Sequence, residues 1–137
     1  MAGWVMIGVP SSAGAHHAGQ ERAPAALRAA GLVDRLRVAG VAISDAGDLP
    51  VTPLAVDHDH PGARNVAAVV TVARQAAAAV ASELEAGRLP LMVGGDCTIT
   101  LGVIAGFRRH HPDVGLVYAD GSQINRYVNA IIEVLAR

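Results

Sequence analysis

The chain has 137 residues, enough for one domain with a core of its own. Apolar residues make up 52% of it and charged residues 17%, at a mean hydropathy of +0.36, which excludes a disordered chain. Eleven basic and twelve acidic residues leave a net charge of −1 and no basic stripe, so neither a nucleic acid nor a membrane surface is an expected partner.

Aromatics are only 3%, so the core must be built from Ala, Val, Leu and Ile, which suits helices packed on a parallel sheet. Four short apolar runs read as strands: Trp4 to Val9, Val41 to Ser44, Leu91 to Val93 and Val114 to Ala119. Each is nearly all apolar rather than alternating, as strands buried on both faces are. Helical patterns separate them. Pro24 to Val38 opens on a proline suited to a first turn and ends near Gly40. Arg64 to Ala86 carries Val66, Val69, Val70, Ala73, Ala77, Val80, Ala81 and Leu84 along one face, and Gly87 stops it. Thr98 to His110 is a third helix, ended by Pro112. Ser122 can cap a fourth that carries Ile124, Tyr127, Val128, Ile131, Ile132 and Leu135 on one side.

The order β-α-β-α-β-α-β-α predicts a three-layer α/β/α domain over residues 1–137, with a parallel sheet of about four strands in the order 2-1-3-4 and right-handed crossovers. Ligands of such sheets bind beyond the carboxyl ends of the strands. All four strand ends are rich in Gly, Ser or Asp, so the chemistry is expected there. The one long loop, Asp48 to Gly62, carries His58-Asp59-His60; in a Pro-rich loop, solvated side chains are the simpler reading of that pair of histidines. Cys97 is the only cysteine, so no internal disulfide can form. The N-terminus lacks a signal-peptide layout, and no apolar run of roughly 18–20 residues is evident to span a bilayer, so a cytoplasmic location is expected. No dinucleotide-type or Walker-type glycine loop follows the first strand, and there is no serine elbow, which disfavours nucleotide binding and triad hydrolysis.

Two turns stand out. Gly94-Gly95-Asp96-Cys97-Thr98 joins a buried strand to a helix; Asp96 there can accept from backbone N–H groups or sit near a cation, and Cys97 can face the crevice. Asp120-Gly121 follows the next run, so its carboxylate could converge with the first turn on one ion. Spacing alone favours ordinary turns with a helix cap at Thr98. His16-His17 lies in the loop after the first strand, within reach of the same crevice, although a plain loop role explains it as well.

Taken in order, Gly8-Val9-Pro10, Gly14, Gly19, Ala23-Pro24, Leu27-Arg28 and Gly31-Leu32, then Asp45 to Val51, Arg64-Asn65, Val93-Gly94-Gly95-Asp96, Leu101-Gly102, Gly106 and His111 to Gly115 resemble the ureohydrolase (arginase/agmatinase/formiminoglutamase) family over residues 4–120. The resemblance implies Mn-dependent hydrolysis of guanidino or amidine C–N bonds by two bridged manganese ions, acting on a small guanidino or amidine substrate; a homo-oligomer is expected because the helices of a shortened sheet would leave apolar surface uncovered. The resemblance places Cys97 where the family has a His ligand and matches Asp120 to the first of an Asp-x-His-x-Asp ligand set, whose later positions here are Ser122 and Ile124. It also implies a shortened member whose C-terminal helix follows Asp120-Gly121 directly. Cys97 and Asp120 alone are too few to hold two divalent ions, so the expectation is a chain inactive as written, possessing the family's scaffold with no metal pair. An alternative reading is a folded, self-associating α/β module that turns nothing over.

Overall fold

The structure, a computed structural model, describes residues 3–118. Three strands form one parallel sheet in the order β2-β1-β3. β1, Trp4–Val9, lies at its centre, flanked by β2, Ile43–Asp48, and β3, Leu89–Gly94. β1 is central for a reason visible in its residues: Val5, Met6, Ile7 and Val9 are all buried, so both of its faces are covered.

Register sorts the side chains onto two faces. Met6 pairs with Leu91 and Gly8 with Val93, and the core cluster of Met6, Val33, Ile43 and Val93 packs there with Leu32, Leu36 and Leu91. Two short helices, α1 at Ala23–Ala29 and α2 at Leu32–Val38, cover this side. The long helix α3, Val66–Glu85, packs against β1 and β3 on the other side, and α4, Ile99–His110, packs along α3. The α/β class and the 2-1-3 order of the first three strands agree with the sequence.

Several boundaries differ, each for a local reason. Pro24 to Val38 is two helices, because Gly31 adopts φ 76° and turns the chain between them. β2 runs on through Asp45-Ala46-Gly47-Asp48, turn formers by composition; backbone pairing with β1 carries it past an irregularity between Met6 and Gly8. β3 begins at Leu89 and takes in Pro90. Leu89 donates its N–H to Gly3, so by alternation position 90 faces away from β1, where a missing N–H costs the ladder nothing.

The fourth strand is a correction. Residues 114–118 form no strand: Val114, Leu116 and Val117 are exposed, and Val114 N–H closes a turn onto His111 O at 3.0 Å. The proposed pairing of this run with Leu91 to Val93 is therefore not made by residues 114–118. Ala119, Asp120 and the helix capped by Ser122 lie outside the described residues.

A second correction concerns hydropathy. α3 has 20 residues with a mean hydropathy of 1.2 in its best window, long and apolar enough by composition to cross a membrane. Its Val69, Val72, Ala73, Ala76, Ala77, Val80 and Ala81 are buried against the rest of the chain, as on the inward face of a core helix. Its alanines matter for a further reason. A Cβ on Gly102 would meet Ala73 O and Ala76, and one on Gly106 would meet Val80 and Ala77 O. The two helix axes approach closely because both glycines of α4 are bare where the alanines of α3 pass.

Candidate functional site

The loop after β1 and the turn after β3 meet at the carboxyl end of the sheet, and Asp96 joins them. Its carboxylate is 2% exposed and accepts from Ser11 Oγ (3.2 Å), Gly14 N–H (3.1 Å), Thr98 N–H (2.9 Å) and Thr98 Oγ. A buried carboxylate is tolerable only with such partners. The backbone adds Asp96 N–H to Ser11 O at 2.9 Å, and Gly95 lies so close to Val9 and Ser11 that a side chain there would strike main-chain atoms. Asp96 therefore belongs to the crevice loop, as its position implies, but its carboxylate is turned into the protein as a pin between two loops.

The rest of the β1 loop is braced as firmly. Ser12 Oγ accepts the N–H of Glu21 (3.0 Å) and donates to the Glu21 carboxylate, which also accepts from Gly19 N–H at 2.8 Å. These donors, Ser12 first, hold the Glu21 carboxyl below the usual carboxylate range. Asn65, left-handed at φ 57° before α3, donates its side-chain N–H groups to Ala13 O (3.1 Å) and Ala55 O (2.9 Å), fastening the β1 loop to the long loop. Between these fixed points His16 and His17 are exposed.

Cys97 is exposed and forms no disulfide. In the long loop, Asp57 accepts Asn65 N–H (2.8 Å) and contacts His60 Nδ1 at 3.1 Å, while His58 is exposed. The backbone N–H of Asn65, with His60 adding to it, keeps the Asp57 carboxyl below its ordinary range. Asp57 thus orders the loop, and the histidine pair belongs to that loop rather than to the strand ends. Among the described residues no three His, Cys, Asp or Glu side chains come together closely enough to hold a metal ion. Asp120 lies outside them.

On the far side of the sheet end Arg28 forms a fork. Its Nε and Nη2 meet the two oxygens of Asp45 at 2.7 and 2.9 Å, Nη1 meets Asp48 at 2.5 Å, and Nη2 also donates to Gly47 O at 3.0 Å. Arg28 holds the Asp45 carboxyl below its ordinary range and is itself raised, Asp45 being the main cause of its shift. This fork, the Asp96 pin and the Ser12–Glu21 pair were not evident from spacing. Asp96 reaches Ser11 and Gly14 more than eighty positions away and Arg28 reaches Asp45 across seventeen, while Ser12 and Glu21 lie nine apart, none at a spacing that marks a motif for that pair.

A parallel α/β sheet with loops braced at its carboxyl edge defines the class. The sequence profile of the arginase family matches residues 2–121, and the chain belongs to that family. It is 36% identical over 115 residues to human arginase-1 and 35% identical over 117 residues to the arginase of Bacillus caldovelox, in each case across 84% of this chain. Among solved structures, the native arginase of Bacillus caldovelox superposes with a TM-score of 0.74 at 32% identity over 90% of this chain, and the arginase of Bacillus cereus with 0.74 over 88%. The agmatine ureohydrolase of Thermoplasma volcanium, at 22% identity and a TM-score of 0.55, shares the fold. The chain spans 36% of the length of the human relative and 39% of the bacterial one.

Proposed function

We propose that this chain carries the opening part of an arginase-type fold and does not by itself hydrolyse guanidino compounds. The reaction by descent is hydrolysis of a guanidino or amidine C–N bond, for which two bridged manganese ions, when bound, supply hydroxide at neutral pH. The observation that carries the reading is the donor set at the strand ends. Both Asp96 oxygens are engaged by protein donors, so it is not a free ligand. The next position offers Cys97, a soft thiol poorly matched to Mn²⁺, where the resemblance expects an imidazole. Asp120 is the one hard ligand that the resemblance retains, because Ser122 and Ile124 stand at the next two ligand positions, and isoleucine offers no donor atom. These residues do not fit a manganese pair.

What the chain's own residues provide is a braced rim. Asp96, Ser11, Ser12, Glu21 and Asn65 fix the crevice loops, and His16, His17 and Cys97 stand exposed on or beside them. Metal analysis after incubation with Mn²⁺ and dialysis tests the reading: less than one equivalent per chain is expected. Replacing Cys97→His alone leaves that content low, because Ser122 and Ile124 are unchanged, whereas two tightly held equivalents in the unmodified chain would overturn it and direct attention to His16, His17, His58 and His60.

A further inference from the structure

The long loop leaves the sheet and returns to it at one place. At its start Thr52 donates its N–H to Pro10 O (2.9 Å), and its carbonyl accepts from Ser12 N–H (2.8 Å). At its end Asn65 donates side-chain N–H groups to Ala13 O and Ala55 O. Residues 56–64, between these ties, make a closed excursion rooted on the β1 loop, the layout of an Ω-loop.

Polar contacts hold this excursion shut. Val56 and every residue from His58 to Arg64 are exposed, Val56 at 81%. Little apolar area is buried there, so its order rests on hydrogen bonds. These converge on Asp57. Its carboxylate accepts the backbone N–H of Asp59 (3.1 Å), His60 (3.2 Å) and Asn65 (2.8 Å), and meets His60 Nδ1 at 3.1 Å. Asn65 is the left-handed residue from which the chain enters α3, so Asp57 ties the outgoing limb of the loop to the end of the returning one.

We propose that residues 56–64 form a flap that opens as a local unit, with Asp57 as its latch and the ties of Thr52 and Asn65 to the β1 loop as its root. The sheet and α3 keep their packing when it opens, because each of residues 56–64 is exposed or only part-buried. The flap carries His58 and His60 and stands on the loop that carries His16 and His17, at the rim of the crevice. The inference rests on these bonds and exposures, and not on whether the chain catalyses a reaction.

Trypsin digestion of the full chain under native conditions tests this at the Arg64–Asn65 bond, which the closed flap holds in place and the open flap releases. Mass spectrometry identifies that cut. In Asp57→Ala the cut at Arg64 should be faster by about tenfold, the scale of one hydrogen bond to a charged group, while the urea midpoint of the whole chain stays where it was. Equal rates in the two proteins, or a rate that rises only in step with a falling urea midpoint, would overturn the latch. Should Asp57→Ala misfold, amide hydrogen exchange on the unmodified chain at rising sub-denaturing urea decides. An Asn65 amide that exchanges faster than those of β1 and without dependence on urea supports the flap, and one that follows the β1 amides refutes it.

Discussion

Truncating Asp96 to alanine strips an acceptor from Gly14 N–H, Thr98 N–H and the Ser11 hydroxyl, the last two in a region closed to water. Orphaned buried donors cost free energy that exposed ones do not, so Asp96→Ala is expected to destabilise the chain by about 2–3 kcal/mol. Urea denaturation checks this: the midpoint should fall at constant slope, and an unchanged midpoint would mean that the two loops hold without the pin. Arg28 and Asp45 make a pH prediction. The folded carboxyl of Asp45 lies below its unfolded value, so its contribution is fully present above about pH 4 and is lost as pH falls through the lower folded value. Asp45→Asn should therefore flatten the acid limb of the stability profile below about pH 4 and leave its shape near neutrality unchanged. Thermal melts across that range give the answer; an acid limb identical in both proteins would remove Asp45 from the account. The sequence offered backbone acceptance as one of two readings of Asp96, which the structure shows, but not its tie to Ser11 and Gly14, nor the pairing of Arg28 with Asp45. Gly-Gly-Asp marks a turn, but which way its carboxylate points depends on Ser11 and Gly14, some eighty positions earlier, which only the folded sheet brings near.

Between elements, the contact most exposed to a single change is that of α4 on α3. Adding a side chain at Gly106 has two opposed effects. Relieving a helix of glycine stabilises it by about 0.5–1 kcal/mol, whereas forcing atoms into a filled contact costs about 1–3 kcal/mol. Because a Cβ at Gly106 already meets Val80 and Ala77 O, the upper end of the second effect applies and wins, and Gly106→Leu is expected to lower stability by about 2 kcal/mol net, as a denaturant titration would register. Ala78→Leu, on an exposed position of α3, serves as the control and should change little. Elements with strong local signals were readable in advance: β1 for its unbroken apolar run, α3 for its periodic valines and alanines, α4 for Pro112 beyond its end. Gly31 splitting Pro24 to Val38, and the polar continuation of β2, were not. The first rests on one dihedral angle and the second on pairing to a neighbour, and neither alters hydrophobic periodicity. The strand read at Val114 to Ala119 has the right residues, but residues 114–118 join no strand of the sheet among the described residues.

At the scale of the whole molecule, the ordered series of short motifs from Gly8 to Gly115 carried the family correctly, and several of them mark contacts that this fold makes: Gly95 against Ser11, Gly102 and Gly106 against α3, Arg28 against Asp45. In the proposed reading, fold and chemistry separate at the carboxyl end of the sheet. The scaffold that positions the crevice loops runs from β1 through α4, while the positions where the resemblance expects ligands read Cys97, Ser122 and Ile124. The central claim is that the scaffold persists without the reaction, and urea release from arginine and agmatine by the purified chain in excess Mn²⁺ tests it most directly. The expected result is no metal-dependent release above the rate without protein, both for the unmodified chain and for Cys97→His. Turnover by the unmodified chain that appears with Mn²⁺ and disappears on chelation would contradict the account.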